Sequence, residues 1–208
     1  MRGAPWAAAL VLASRSVVAQ APSASLRLDA ASTSIRADVA DSRLTGALYG
    51  GGGILALGHL FLTAGYGEAN LHPDRGPGGV THLVQGGIEV GARPWPWFAV
   101  SAGPFARALT GDSGTQRQVL WWLKGRVEMP ILHERLSSYV ELWQALAQRA
   151  DPSGAGGPAR GGSAGLALHL TQLLALHLGY RVEETPSGNG AGEQTVEAVT
   201  LGVQVSPQ

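Results

Sequence analysis

The chain has 208 residues, 30 of them Gly, 12 Pro and none Cys, and its 15 Lys and Arg balance 15 Asp and Glu. The lack of Cys excludes a disulfide scaffold, a thiolate nucleophile, Cys-ligated zinc and a Cys-linked lipid anchor. Zero net charge offers nucleic acid no basic face, and charged residues at 14% fall well below the roughly 25% of an ordinary soluble domain.

The N-terminus reads as an export signal. Met1-Arg2 supplies positive charge, Ala7 to Ala13 a brief apolar run, and Val17-Val18-Ala19 small residues at a cleavage position. The expected division is a signal peptide over 1–19 and a mature chain over 20–208, with an Ala-rich buried helix as the alternative. An exported chain without Cys suits a Gram-negative bacterial envelope better than a eukaryotic secreted scaffold. Beyond residue 19 no apolar run reaches the length of about 18 residues that a spanning helix needs.

The mature chain alternates with period two, the period of a strand. Ser25 to Val39 is the first candidate, with Leu26 and Leu28 on one face. Ile35 and Val39 have the opposite parity, and Gly50 to Gly53 weakens any strand running through it. A bulge would reconcile both; the alternative is eight strands after an irregular N-terminal region. Val84, Ile88, Val90 and Ala92 then share one parity, followed by Val119, Trp121, Leu123, Val127 and Met129. Leu166, Leu168 and Leu170 repeat the pattern, as do Leu174, Leu176, Leu178, Tyr180 and Val182, and finally Val199, Leu201, Val203 and Val205. Gly and Pro clusters separate these runs. Gly58-His59, Pro94 to Pro96, Leu132 to Arg135 and Gln172-Leu173 read as tight connections. His72 to Gly79, Gly111 to Thr115, Ala150 to Gly161 and Pro186 to Gly192 read as longer ones. The count is about ten strands, each near the 9–11 residues that a tilted strand needs to cross a bilayer.

Alternation alone also fits a soluble lipocalin-like barrel with its apolar face inward. Three features favour the inverted arrangement. The polar face mixes charges with Gly, Ala and Ser, as a confined lumen requires. Lys124 is the one Lys of the chain, whereas soluble sheet edges are commonly protected by Lys. Connections alternate short and long, as in outer-membrane barrels. Trp95, Trp97 and Phe98 gather at one tight turn, where they would sit at a bilayer interface or pack the barrel end.

On these features the chain resembles the bacterial outer-membrane β-barrel class. The resemblance is architectural and covers nearly the whole mature chain. It implies a closed antiparallel up-and-down transmembrane β-barrel located in the outer membrane. Both termini would be periplasmic, with the loops after Leu71, Thr110, Arg149 and Thr185 outside. The implied partners are outer-membrane lipid and the barrel-insertion machinery. One departure stands out: such barrels usually end in an aromatic residue, and this chain ends Gln204-Val205-Ser206-Pro207-Gln208.

With the apolar parity facing lipid, the lumen receives Glu89, Arg93, Arg107, Lys124, Arg126, Glu128, Glu141, Arg181 and Glu183. Enclosed charges need partners. A four-residue turn at Leu132 to Arg135 would set Ile131 against Leu136, Arg126 against Glu141, Lys124 against Trp143 and Glu128 against Tyr139. A structural plug of ion pairs is favoured over a selectivity lining, because wide channels need about sixteen strands. His169 and His177 share the inward parity on adjacent strands, and a three-residue turn at Gln172 to Leu174 would oppose them. Such a pair could bind metal or relay protons, but packing is the favoured role. His72, Asp74 and His82 flank one long loop and would make at most a loose metal site. Ser101, Ser138 and Ser163 have no Gly-x-Ser-x-Gly elbow around them. No metal, cofactor or nucleic-acid partner is expected. The expected role is non-enzymatic and structural or accessory, with surface loops as the contact region. The alternatives are an outer-membrane enzyme acting on lipid or peptide at the outer rim, and a soluble periplasmic barrel holding an apolar ligand.

Overall fold

The computed structural model describes residues 24–39, 42–74, 78–112, 114–132, 135–151, 158–186 and 193–206, with backbone alone for 24–39, 42, 150, 151 and 193. The signal-peptide assignment over 1–19 lies outside the described residues.

Ten strands account for almost all of the described chain. They are β1 (Ala24–Val39), β2 (Ser42–Leu57), β3 (Leu60–Pro73), β4 (Thr81–Trp95), β5 (Phe98–Gly111), β6 (Gly114–Leu132), β7 (Leu136–Asp151), β8 (Arg160–His169), β9 (Leu174–Pro186) and β10 (Glu193–Val205). Each pairs antiparallel with its sequence neighbours, and β1 pairs with β10 to close the barrel. The eight-stranded alternative is thereby excluded. β1 runs without a register shift against both β2 and β10, straight past Gly50 to Gly53. The expected bulge is therefore absent there, and the shifts fall instead at Ala92/Trp95, Trp121/Trp122 and Pro130/Leu132.

The register fixes the shape. One hydrogen-bonded row leaves β1 at Ala24 and passes through Leu57, Leu60, Ala92, Val100 and Gly125. It continues through Leu142, Gly162, Val182 and Glu197 and returns to β1 at Arg36, twelve residues further on. A stagger of twelve residues over ten strands tilts the strands by about 40°, so each residue climbs about 2.5 Å along the barrel axis.

On the strands whose side chains are described, large apolar side chains face outward. Leu55, Leu62, Ile88, Val90, Leu123, Leu142, Leu166, Leu178, Leu201 and Val203 are exposed on the wall, while Glu89, Arg126 and Lys124 are enclosed. A lipocalin-like barrel requires the reverse. Among the described wall residues, outward charges begin near the long-loop end, at Glu68, Arg160 and Glu184, and Arg160 and Glu184 pair at 3.1 Å. By the register and tilt these stand about 25–30 Å above Leu132 and Leu170 at the opposite edge. That interval matches the roughly 25 Å apolar band of outer-membrane barrels. Trp95 and Trp97 stack at 5.6 Å on the lower edge and are half exposed there, as interfacial rings are. The strands run 10–19 residues, longer than expected, because many continue beyond the belt toward the long-loop end.

At the lower end the connections are short. Gly58, at φ 61°, makes the two-residue turn before β3 that a left-handed position allows. At the upper end, 74–80, 152–159 and 187–192 are long connections. The expected longer loop at Gly111 to Thr115 is instead a two-residue hairpin, with Gly114 at φ 116° closing it.

Inward glycines make room for aromatic rings. A Cβ at Gly165 would lie 2.7 Å from the Tyr139 ring and against the Leu178 carbonyl oxygen. Gly165→Ala should therefore cost about 1–3 kcal/mol by overpacking, read by urea unfolding in detergent. Gly125→Ala, whose Cβ meets nothing nearer than 3.9 Å, should be close to neutral; equal losses in the two would contradict this packing.

Candidate functional site in the barrel lumen

The described lumen divides into a sealed upper half and a blind vestibule below. Two apolar clusters build the seal. Leu48, Ala69, Leu71, Leu83 and Val196 converge from β2, β3, β4 and β10, with Leu44 and Leu109 against them. Phe105, Leu120, Trp122, Trp143, Ala145 and Ala159 converge from the other side. Trp122 meets Phe105 at 5.7 Å and Trp143 at 6.1 Å, both edge-on, a favoured aromatic geometry.

A charged strut is set into these clusters. Arg107 on β5 reaches Glu183 on β9, nearly across the barrel, through Nη1–Oε1 at 2.8 Å and Nη2–Oε2 at 3.1 Å. Arg181 Nη2 donates to the same carboxylate at 2.6 Å, and Arg107 Nε donates to Gln85 at 3.4 Å. The Arg107 and Glu183 side chains are 4% and 1% exposed. A bidentate pair with extra donors is the arrangement that makes buried charge tolerable. Arg181 also lies over the Trp143 ring at 4.6 Å.

Two further groups stand lower. Lys124 pairs with Glu89, whose Oε2 also accepts from Ser101 at 2.8 Å. Arg126 lies 3.7 Å from Glu128, 4.0 Å from Glu141 and 4.0 Å from the Tyr139 ring centre. Exposure rises from 14–18% in the first group to 23–33% in the second, so the lumen widens away from the seal. A cavity of about 340 Å³ lies beside Lys124, lined by Thr63, Gln85, Glu89, Phe105 and the inward glycines of β2 to β4.

The nine charges expected inside thus form three separate groups, with Arg93 apart. Arg93 is half buried at the lower mouth, where its backbone bonds His59. The register pairs Arg126 with Glu141, Lys124 with Trp143 and Glu128 with Tyr139, while a shift at the turn sets Leu132, not Ile131, against Leu136. His169 and His177 are not opposed: Ala167 faces His177 and His169 faces Ala175. Thr171 causes the offset. Its Oγ1 accepts from the backbone N–H of Leu173 and Leu174 at 3.1 and 3.0 Å, holding the three-residue turn at 171–173, one position earlier than expected. Among the described residues, no group of three His, Asp or Glu is placed to hold a metal ion. Parity puts Trp122 and Trp143 inside, as found, but the inward leucines of the seal were missed; around Leu120 the run from Val119 to Leu123 is apolar on both faces.

Outward apolar belt, enclosed charge and twelve-residue stagger define a β-barrel of the bacterial outer-membrane type. The β domain of the Bordetella autotransporter BrkA has this fold at TM-score 0.50 and 10% identity, over 87% of this chain and 99% of that one. The outer-membrane protease OmpT of Escherichia coli aligns at TM-score 0.47 and 9% identity over 88% of this chain and 96% of its own. Neisserial surface protein A aligns at TM-score 0.46 and 14% identity over 88% and 98%. No protein family's profile matches the chain, and no curated protein matches it in sequence.

Proposed function

We propose that the protein is an integral barrel of a bacterial outer membrane with a structural or accessory role. Its lumen is closed, it is not an enzyme, and its long-loop end is the contact surface. Export by the N-terminal signal and assembly by the barrel-insertion machinery belong to the same reading. The observation that carries it is the Arg107–Glu183 strut packed between two apolar clusters. It blocks the described lumen where a pore would need water, which leaves the rim for contact with partners.

In planar bilayers the purified barrel should give no steady unitary conductance. A reproducible open level that disappears on adding bulk at Gly87 or Gly50, which flank the cavity beneath the seal, would overturn the closed-lumen reading.

A further inference from the structure

The upper rim of the outer wall is charged unevenly. Toward the end of β3 it presents Glu68 and Asp74, whereas neighbouring β6, β7 and β8 present Arg117, Arg149 and Arg160. Arg117 and Arg149 are both exposed on the face of Val119 and Trp121. The register sets Arg149 opposite Val119, with Arg117 two positions nearer the loop end, a diagonal contact with about 7 Å between Cβ atoms. By the strand tilt both stand about 7–9 Å above Arg160, where the apolar belt ends. They therefore lie at head-group level, and the exposed Val119, Trp121 and Leu146 form the wall beneath them.

Two like charges side by side on one face repel unless an anion meets them. Among the described residues neither Arg117 nor Arg149 has an acidic partner. Glu184 is taken by Arg160 at 3.1 Å, and Asp112, at the tip of the β5–β6 hairpin, lies against Gly79 on the far side. Asp151 holds the register position opposite Arg117, one step further from the belt than Arg149, and a single acid there leaves the pair with net positive charge.

We propose that Arg117 and Arg149 hold the phosphate monoester of one anionic lipid in the loop-side leaflet, with its acyl chains against Val119, Trp121 and Leu146. A monoester fits this pair better than a diester. It carries close to two negative charges and three terminal oxygens at neutral pH, where a diester has one charge and two free oxygens. Two planar guanidiniums can each bond it through paired donors. A lipid is favoured over free phosphate because the pair sits on the apolar wall and not in the lumen. The proposal rests on the membrane reading above.

The test uses the folded protein in detergent, with native mass spectrometry after adding phosphatidic acid or phosphatidylglycerol of the same acyl chains, and lipid A with and without its phosphates. The expected result is a single phosphatidic acid adduct roughly 5-fold more abundant than the phosphatidylglycerol one, and a lipid A adduct that is lost with the phosphates. Arg117→Gln combined with Arg149→Gln should bring phosphatidic acid down to the phosphatidylglycerol level, while the unheated gel still shows the folded barrel. Arg43→Gln, which removes an exposed guanidinium from the β2 side, should leave the preference intact. Equal adducts for the two phospholipids, a preference unchanged in the double variant, or an adduct displaced by excess inorganic phosphate, the sign of a free-anion site, would each overturn the proposal. Failure of the membrane reading would look different: the wild-type chain would appear in the soluble periplasmic fraction.

Discussion

Glu183→Ala should destabilise the folded barrel by about 3–5 kcal/mol, the cost of stranding a buried charge. The carboxylate is almost wholly enclosed and holds two guanidiniums, Arg107 through both oxygens and Arg181 through one. Arg107 has no route to water once it is lost, since its own side chain is 4% exposed between Phe105 and the seal. Arg181, about a third exposed and stacked on Trp143, should adapt. The double variant Arg107→Leu with Glu183→Leu should recover most of the loss, because apolar replacement of a complete buried pair is often neutral or stabilising. Urea titration of the folded band on unheated gels reads both. Equal losses in the single and double variants would mean that packing volume, not charge pairing, governs the site.

The second large effect is on the opposite face. Leu178 and Val90 are 52% and 63% exposed on the outer wall and lie about 14 Å above the lower edge of the belt, near its middle. Leu178→Arg and Val90→Arg should each cost about 2–4 kcal/mol in a bilayer, whereas Thr110→Arg at the upper rim should cost about 0–1 kcal/mol. Folding into lipid vesicles measures all three. In a water-soluble barrel, arginine at such exposed positions would be harmless, so a flat result across depth would count against the belt.

Much of this architecture is legible in the sequence because period two is a local signal. Leu174 to Val182 or Val199 to Val205 needs only its own alternation to reveal an outer face. Pairing partners depend also on turn geometry, and there legibility varied. Arg126 faces Glu141 because the irregularity at Pro130/Leu132 leaves the register above it unchanged. His169 and His177 slipped past each other because the hydroxyl of Thr171 holds the three-residue turn at 171–173, one position earlier than the spacing suggested. The hairpin at Asp112 was hidden by its glycines, which mark a break but not its length.

The seal was the least legible part. Leu48, Leu71, Leu83, Leu120 and Val196 carry the inward parity that elsewhere bears charges and glycine. They are apolar because the upper lumen is packed like a protein core, and a strand that is apolar on both faces gives no period to read. The Arg107–Glu183 contact joins residues 76 positions apart. Nothing local relates them; the closed barrel and its stagger bring them together.

The absence of Cys makes the central claim directly measurable with single introduced cysteines. A fluorophore at Leu178→Cys and another at Ser101→Cys, each in vesicles of chain-brominated lipid, report contact with acyl tails. Strong quenching at position 178 and none at position 101 is the predicted result. Quenching at 101 with none at 178 would mean that the greasy face is turned inward, and the account of belt, seal and vestibule would fail together.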